Sequence, residues 1–143
     1  MKYRKSSHAT FDCRYHIVWI TKYRRQVLHE DIQSRLRILI TGICQEMYVN
    51  ILALGMEEDH VHLYASIPLS HPIPSVVQRL KGRTSKVIWE EQWKYLKAFY
   101  WRDHTLWATG YFCATVGEIN HETIKHYVEE QGAEDVLGKE IDL

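Results

Sequence analysis

Between residues 50 and 67 the chain carries two short apolar stretches, residues 50–56 and 60–67, parted by the acidic triplet Glu57-Glu58-Asp59. Side chains alternate across a strand, so two such runs joined by a polar turn predict an antiparallel hairpin. The hairpin's flanks make it restrictive. Before it, residues 31–48 place Ile32, Leu36, Leu39, Ile43 and Met47 at three- and four-residue spacings, the stripe of an amphipathic helix. After it, Pro72 and Pro74 open a second helix, since proline is tolerated in the first helical turn; Ile73, Val76, Val77, Leu80, Val87 and Ile88 mark its buried face. A hairpin between two amphipathic helices must bury one face against both of them.

The outer segments complete the pattern. Residues 11–20 alternate, with Phe11, Cys13, Tyr15, Ile17 and Trp19 on one side and Asp12, Arg14 and His16 on the other. Residues 106–116 read as a further strand. The order strand, helix, strand, strand, helix, strand predicts an α+β fold, a ferredoxin-like or RRM-like split βαβ plait with an antiparallel sheet. A last short helix, residues 120–131, is capped by Asn120 and closed by Gly132. With two helices on one face of the sheet, the other face is expected to be free for ligands, as in RNA-binding sheets of this topology.

A chain of 143 residues, 45% of them hydrophobic, supports one core, so residues 1–143 are expected to form a single domain. No apolar run reaches the roughly 20 residues of a membrane span, and the basic start lacks the apolar stretch of a signal peptide. A soluble, cytoplasmic protein is expected. Cys13, Cys44 and Cys113 are odd in number and far apart, which argues against a disulfide framework or a paired-cysteine zinc site. Any metal is left to histidine, carboxylate or amide groups.

Eighteen basic and eighteen acidic residues cancel, but unevenly. Residues 1–25 hold seven Lys and Arg against Asp12 alone, while six acids face one lysine from Glu129 onward. A neutral protein can therefore still present a basic surface. Its candidate phosphate contacts are Arg14, Lys22, Arg24, Arg25, Lys81 and Arg83. The dense aromatics from Trp89 to Phe112 serve either as core or as stacking platforms for unpaired bases.

On the second strand of the hairpin Val61, Leu63, Ala65 and Ile67 share the apolar face, which puts His60 and His62 together on the other, about 7 Å apart at Cα. Two imidazoles so placed can converge on one metal ion. On the last helix Tyr127 and Gln131 stand four residues apart on one stripe, about 6 Å apart at Cβ. If that stripe lies over the histidine face, phenol and amide reach the pair. A phenol nucleophile and a Lewis acid on the phosphate oxygens are what metal-assisted phosphodiester chemistry requires. Neutral histidines and an amide leave the cation's charge uncompensated for an incoming phosphate, and Mg²⁺ or Mn²⁺ suits such a donor set. The same residues admit two other readings. One is a single-strand binding module without catalysis. The other is a metal phosphodiesterase that activates water, with Asp59 as base or ligand.

Several motifs in order resemble one family, the single-tyrosine HUH transposases of insertion sequences. They are Tyr15-His16-Ile17-Val18-Trp19-Ile20-Thr21-Lys22-Tyr23-Arg24, Asp59-His60-Val61-His62-Leu63, Leu80-Lys81-Gly82-Arg83-Thr84-Ser85, Leu106-Trp107 with Gly110-Tyr111-Phe112, and Ile124-Lys125-His126-Tyr127-Val128-Glu129-Glu130-Gln131. The resemblance spans nearly the whole chain. It implies that Tyr127 is the nucleophile, that His60, His62 and Gln131 bind the metal, and that the substrate is single-stranded DNA with hairpins at the element's ends. It further implies a 5′-phosphotyrosyl intermediate, a free 3′-hydroxyl, rejoining without ATP, and a homodimer in which one subunit's tyrosine helix can complete the other's site. The departures are Glu58, where the family often has proline, and the acidic tail after Gly132.

Overall fold

The computed structural model describes residues 3–5, 10–100, 102 and 104–130. A two-stranded ribbon, β1 (Arg4–Lys5) with β2 (Thr10–Phe11), precedes the main sheet. That sheet contains β3 (Arg14–Ile20), β4 (Asn50–Glu57), β5 (His60–Ser66) and β6 (Phe112–Thr115) in the order β4-β5-β3-β6, all neighbours antiparallel. Helices α1 (Glu30–Glu46) and α2 (Ile73–Leu96) follow β3 and β5, giving the plait read from the sequence. A third helix, α3 (His121–Glu130), follows β6.

The principal core lies between the sheet and α1 and α2. Ile17 and Trp19 of β3, Val61, Leu63 and Ala65 of β5, Ile32, Leu36 and Ile40 of α1, and Val76, Leu80 and Ile88 of α2 all bury there. Helix α1 opens with Glu30 and Asp31, whose charges favour the positive end of the helix dipole. Helix α2 starts behind Pro72 with Pro74 in its first turn, where the missing N–H costs no helical bond. It runs on to Leu96, eight residues past the last core position of the sequence reading, because Trp89 and Leu96 continue the buried stripe.

Three expectations are corrected. The strand read at 11–20 is two strands, because Phe11 pairs with Arg4 in the small ribbon while the Cys13 carbonyl accepts the Ile67 N–H at 2.8 Å. The strand read at 106–116 is regular only from Phe112. Residues before it turn through Gly110, at φ 94°, a left-handed conformation that glycine adopts without strain. There the Lys81 ammonium donates to the carbonyls of Ala108 and Gly110 at 2.7 and 2.8 Å. Finally, the second face of the sheet is not open. Helix α3 packs over it, with Val128 and Ile124 against Ala53 and Tyr64, and Tyr127 against Val18. The helix begins at His121; Asn120 lies in a 3₁₀ turn, Glu118–Asn120, that leads into it. Gly132 lies outside the described residues.

Candidate active site under the terminal helix

All seven residues of β5 are buried, which strand alternation alone does not explain. The apolar set faces α1 and α2; on the other side α3 covers Tyr64 and the His16 ring of β3 lies against His62. Strand register makes this local. Ile20 pairs with His60, Val18 with His62 and His16 with Tyr64. Tyr127 rests on Val18, the direct cross-strand neighbour of His62, and is itself only partly buried.

Each histidine has an outer partner at Nδ1. His60 Nδ1 lies 2.6 Å from Asp59 Oδ1, and the imidazole must donate because an ionised carboxylate can only accept. That bond, with the nearby Arg24 guanidinium adding to it, holds the Asp59 carboxyl below the usual carboxylate range. His62 Nδ1 lies 3.1 Å from His16 Nε2. Burial pushes His62 down to about 3, helped by His60 and His16, and pushes His16 down to about 4. Both are neutral imidazoles at neutral pH.

The two Nε2 atoms that remain, on His60 and His62, are buried and have no hydrogen-bond partner. Buried polar atoms are almost always satisfied, so a pair of orphans on adjacent rings, 4.7 Å between centroids, calls for a shared ligand. With Nδ1 of His60 holding the proton, its Nε2 offers a lone pair. Imidazole nitrogens joined by phosphate oxygens fit Mg²⁺ or Mn²⁺. Among the described residues no cluster of three His, Cys, Asp or Glu could hold a metal. Beyond the pair, a cation would draw further ligands from water, the substrate or groups outside the described residues. Gln131, the amide named by the sequence reading, lies outside the described residues.

The candidate phosphate contacts fall into two groups. Arg14 is buried and paired with Asp12 at 2.5 Å; Lys81 is bound to the two loop carbonyls; Arg83 pairs with Glu46 at 2.5 Å. Lys22, Arg24 and Arg25 instead form a loop directly beside the histidines, since the Thr21 N–H donates to the Asp59 carbonyl at 2.9 Å. Arg24 reaches the Asp59 carboxylate at 3.4 Å. Lys22 and Arg25 lie 5.4 and 5.0 Å from the ring of Tyr23, which is 70% exposed. Tyr23 and Arg24 both have positive φ, 60° and 52°, a strained backbone of the kind found at functional loops. Of the dense aromatics, Trp89 and Trp107 belong to the core, while Trp89, Trp93, Trp107 and Tyr111 also line a groove of about 1050 Å³ beside α2.

The sequence reading missed two residues. Alternation puts His16 on a polar strand face, and the antiparallel pairing of residues 14–20 with 60–66 brings it diagonal to His62. His121 Nδ1 lies 2.6 Å from the Tyr64 hydroxyl, tying the start of α3 to β5.

The antiparallel plait is shared with solved transposases. A Deinococcus radiodurans R1 protein assigned as a transposase superposes with a TM-score of 0.73 at 30% identity, over 90% of this chain and 97% of that one. A REP-associated tyrosine transposase, solved bound to a REP hairpin, has the same fold, with a TM-score of 0.65 at 12% identity over 92% of this chain and 74% of that one. The chain belongs to the IS200-like transposase family, whose model matches residues 9–131. Among its relatives, the transposase for insertion sequence element IS200 of Salmonella typhimurium is 32% identical over 137 residues, 96% of this chain and 88% of that protein. ISDra2 transposase TnpA of Deinococcus radiodurans is 28% identical over 131 residues, 92% of each. Among the described residues no helix is long and apolar enough to cross a membrane.

Proposed function

We propose that this transposase cuts and rejoins single-stranded DNA at insertion-sequence ends, with Tyr127 as the covalent nucleophile. One observation carries the reading: α3 sets Tyr127 on Val18, the strand neighbour of His62, while the Nε2 atoms of His60 and His62 are buried without partners. The Tyr127 phenolic oxygen attacks the scissile phosphorus, forming a phosphorus–oxygen bond to the protein as the bond to the 3′-oxygen breaks. The phenol proton goes to solvent, and the departing oxygen takes a proton to become a free 3′-hydroxyl. Rejoining is the reverse displacement by another 3′-hydroxyl, which conserves the bond and needs no ATP. His60, His62 and Gln131 would hold Mg²⁺ or Mn²⁺, which when bound supplies positive charge to the non-bridging oxygens.

The chain's own groups do the rest. Neutral His16 and His62 add no positive charge that would repel the cation. Lys22, Arg24 and Arg25 form the basic loop nearest the pair and contact the DNA backbone. Hairpin recognition is proposed because the REP-associated relative was solved on a hairpin. A homodimer in which α3 of one subunit completes the other's site is proposed on the family resemblance. The test is incubation with labelled single-stranded element ends and Mn²⁺. A denaturation-resistant protein–DNA adduct is expected, absent in Tyr127→Phe while hairpin binding persists. Cleavage without an adduct identifies a water-using phosphodiesterase, and binding without cleavage identifies a binding module; either overturns the proposal.

A further inference from the structure

We propose that His16 is a positioning residue that fixes the tautomer of His62, so that the nitrogen facing the cation carries a lone pair. This rests on the metal reading above and adds to it a residue outside the ligand set. His16 is 9% exposed on β3 and sits diagonally across from His62. Diagonal cross-strand neighbours are within reach of ring side chains. The ring planes differ by only 8° and the centroids are 5.4 Å apart, with Nε2 of one ring 3.1 Å from Nδ1 of the other. An N–H bond lies in its ring plane, so the pair meets edge to edge through a hydrogen bond.

Two proton placements are possible on that bond. If His16 donates, His62 must hold its own proton on Nε2, which becomes a buried N–H without an acceptor and cannot ligate. If His62 Nδ1 donates, Nε2 is a lone pair and a cation satisfies it together with the matching lone pair on His60. Only the second placement lets one cation resolve both orphaned atoms. It also gives the two ligands the same design: each Nδ1–H is taken up by an outer acceptor, Asp59 for His60 and His16 for His62. Such outer partners orient metal-bound imidazoles and strengthen them as ligands. Phe112 meets the His16 ring edge-on at 5.9 Å and 72°, and packs in turn on Val18, against which Tyr127 also rests. The residue that sets the ligand thereby also backs the wall on which the tyrosine rests.

The experiment uses the full chain without DNA. Mn²⁺ affinity is measured by electron paramagnetic resonance for wild type, His16→Gln, His16→Leu and His60→Ala, with urea unfolding to check each fold. Long-range nitrogen–proton spectra of the metal-free wild type read which nitrogen of His62 is protonated. The amide oxygen of glutamine accepts the His62 N–H and leucine cannot. Wild type and His16→Gln are expected to agree within about threefold, and His16→Leu to bind roughly tenfold to a hundredfold more weakly. The proton of His62 is expected on Nδ1. A His62 proton on Nε2, a folded His16→Leu that binds like wild type, or equal losses in His16→Gln and His16→Leu each overturn this inference. If only these fail while His60→Ala loses Mn²⁺, the metal reading survives. If wild type and His60→Ala bind Mn²⁺ alike, both fall.

Discussion

Val128→Ala should loosen the terminal helix without loosening the sheet. Helix α3 has ten residues, too few to be stable alone in water, so its order depends on docking. Val128 is the one fully buried residue among those described on this helix, packed on Ala53, Tyr64 and Val116. Truncation removes two buried carbons, worth about 0.8 kcal/mol each, and leaves a small void that adds to the loss. The expected cost is about 1.5–2.5 kcal/mol, a roughly tenfold to seventyfold rise in the undocked population. Amide hydrogen exchange resolved by segment is the assay. Exchange across α3 should accelerate by that factor while β3 and β5 stay unchanged, and the DNA adduct should form more slowly because Tyr127 spends less time on Val18. Unchanged exchange in α3 would refute the docking argument. So would equal acceleration in α3 and β5, since the helix would then open only with the whole fold.

Two further perturbations probe the neighbouring groups. In metal-free protein the folded values of about 4 for His16 and about 3 for His62 lie below the ordinary histidine value. Stability is therefore complete only well above the unfolded value of about 6.5 and falls as pH drops through it, by up to ~1.4 kcal/mol per pH unit per histidine, as the unfolded chain takes up protons the fold refuses. Urea midpoints should drop between about pH 7.5 and 5, less steeply in His16→Gln; a flat profile contradicts the burial argument. Arg25→Ala should weaken binding of single-stranded DNA and reduce its salt slope by about one phosphate contact, measured by fluorescence anisotropy at several salt concentrations. An unchanged slope would remove Arg25 from the interface.

Local patterns in the sequence carried those features that depend on local periodicity. The hairpin, the helical stripes and the shared face of His60 and His62 all follow from spacing within one element, and the plait follows from their order. What spacing could not supply was register and docking. His16 meets His62 only because β3 and β5 pair with Val18 opposite His62, a match set by the packed sheet rather than by either strand. Arg14 and Lys81 read as surface cations because spacing shows neither the burial of the first nor the carbonyls of Ala108 and Gly110 that hold the second, far away along the chain. Spacing leaves the second face undecided for the same reason: a terminal amphipathic helix can lie beside a sheet or upon it, and its stripe alone does not say which.

The distribution of the site over separate elements bears on its chemistry. The imidazoles sit on a central strand held by two neighbours, where their geometry is as rigid as the fold. The phenol sits on a short helix at the edge of the described chain, tied by the Tyr64–His121 bond and by Val128. Reaction at phosphorus demands a fixed electrostatic pocket, yet a tyrosine that becomes bonded to DNA must carry that strand and later give it up. Under the proposed mechanism, a histidine pair on a central strand and a tyrosine on a short docked helix would meet both demands, since the helix could shift with an attached strand while the pair keeps its shape.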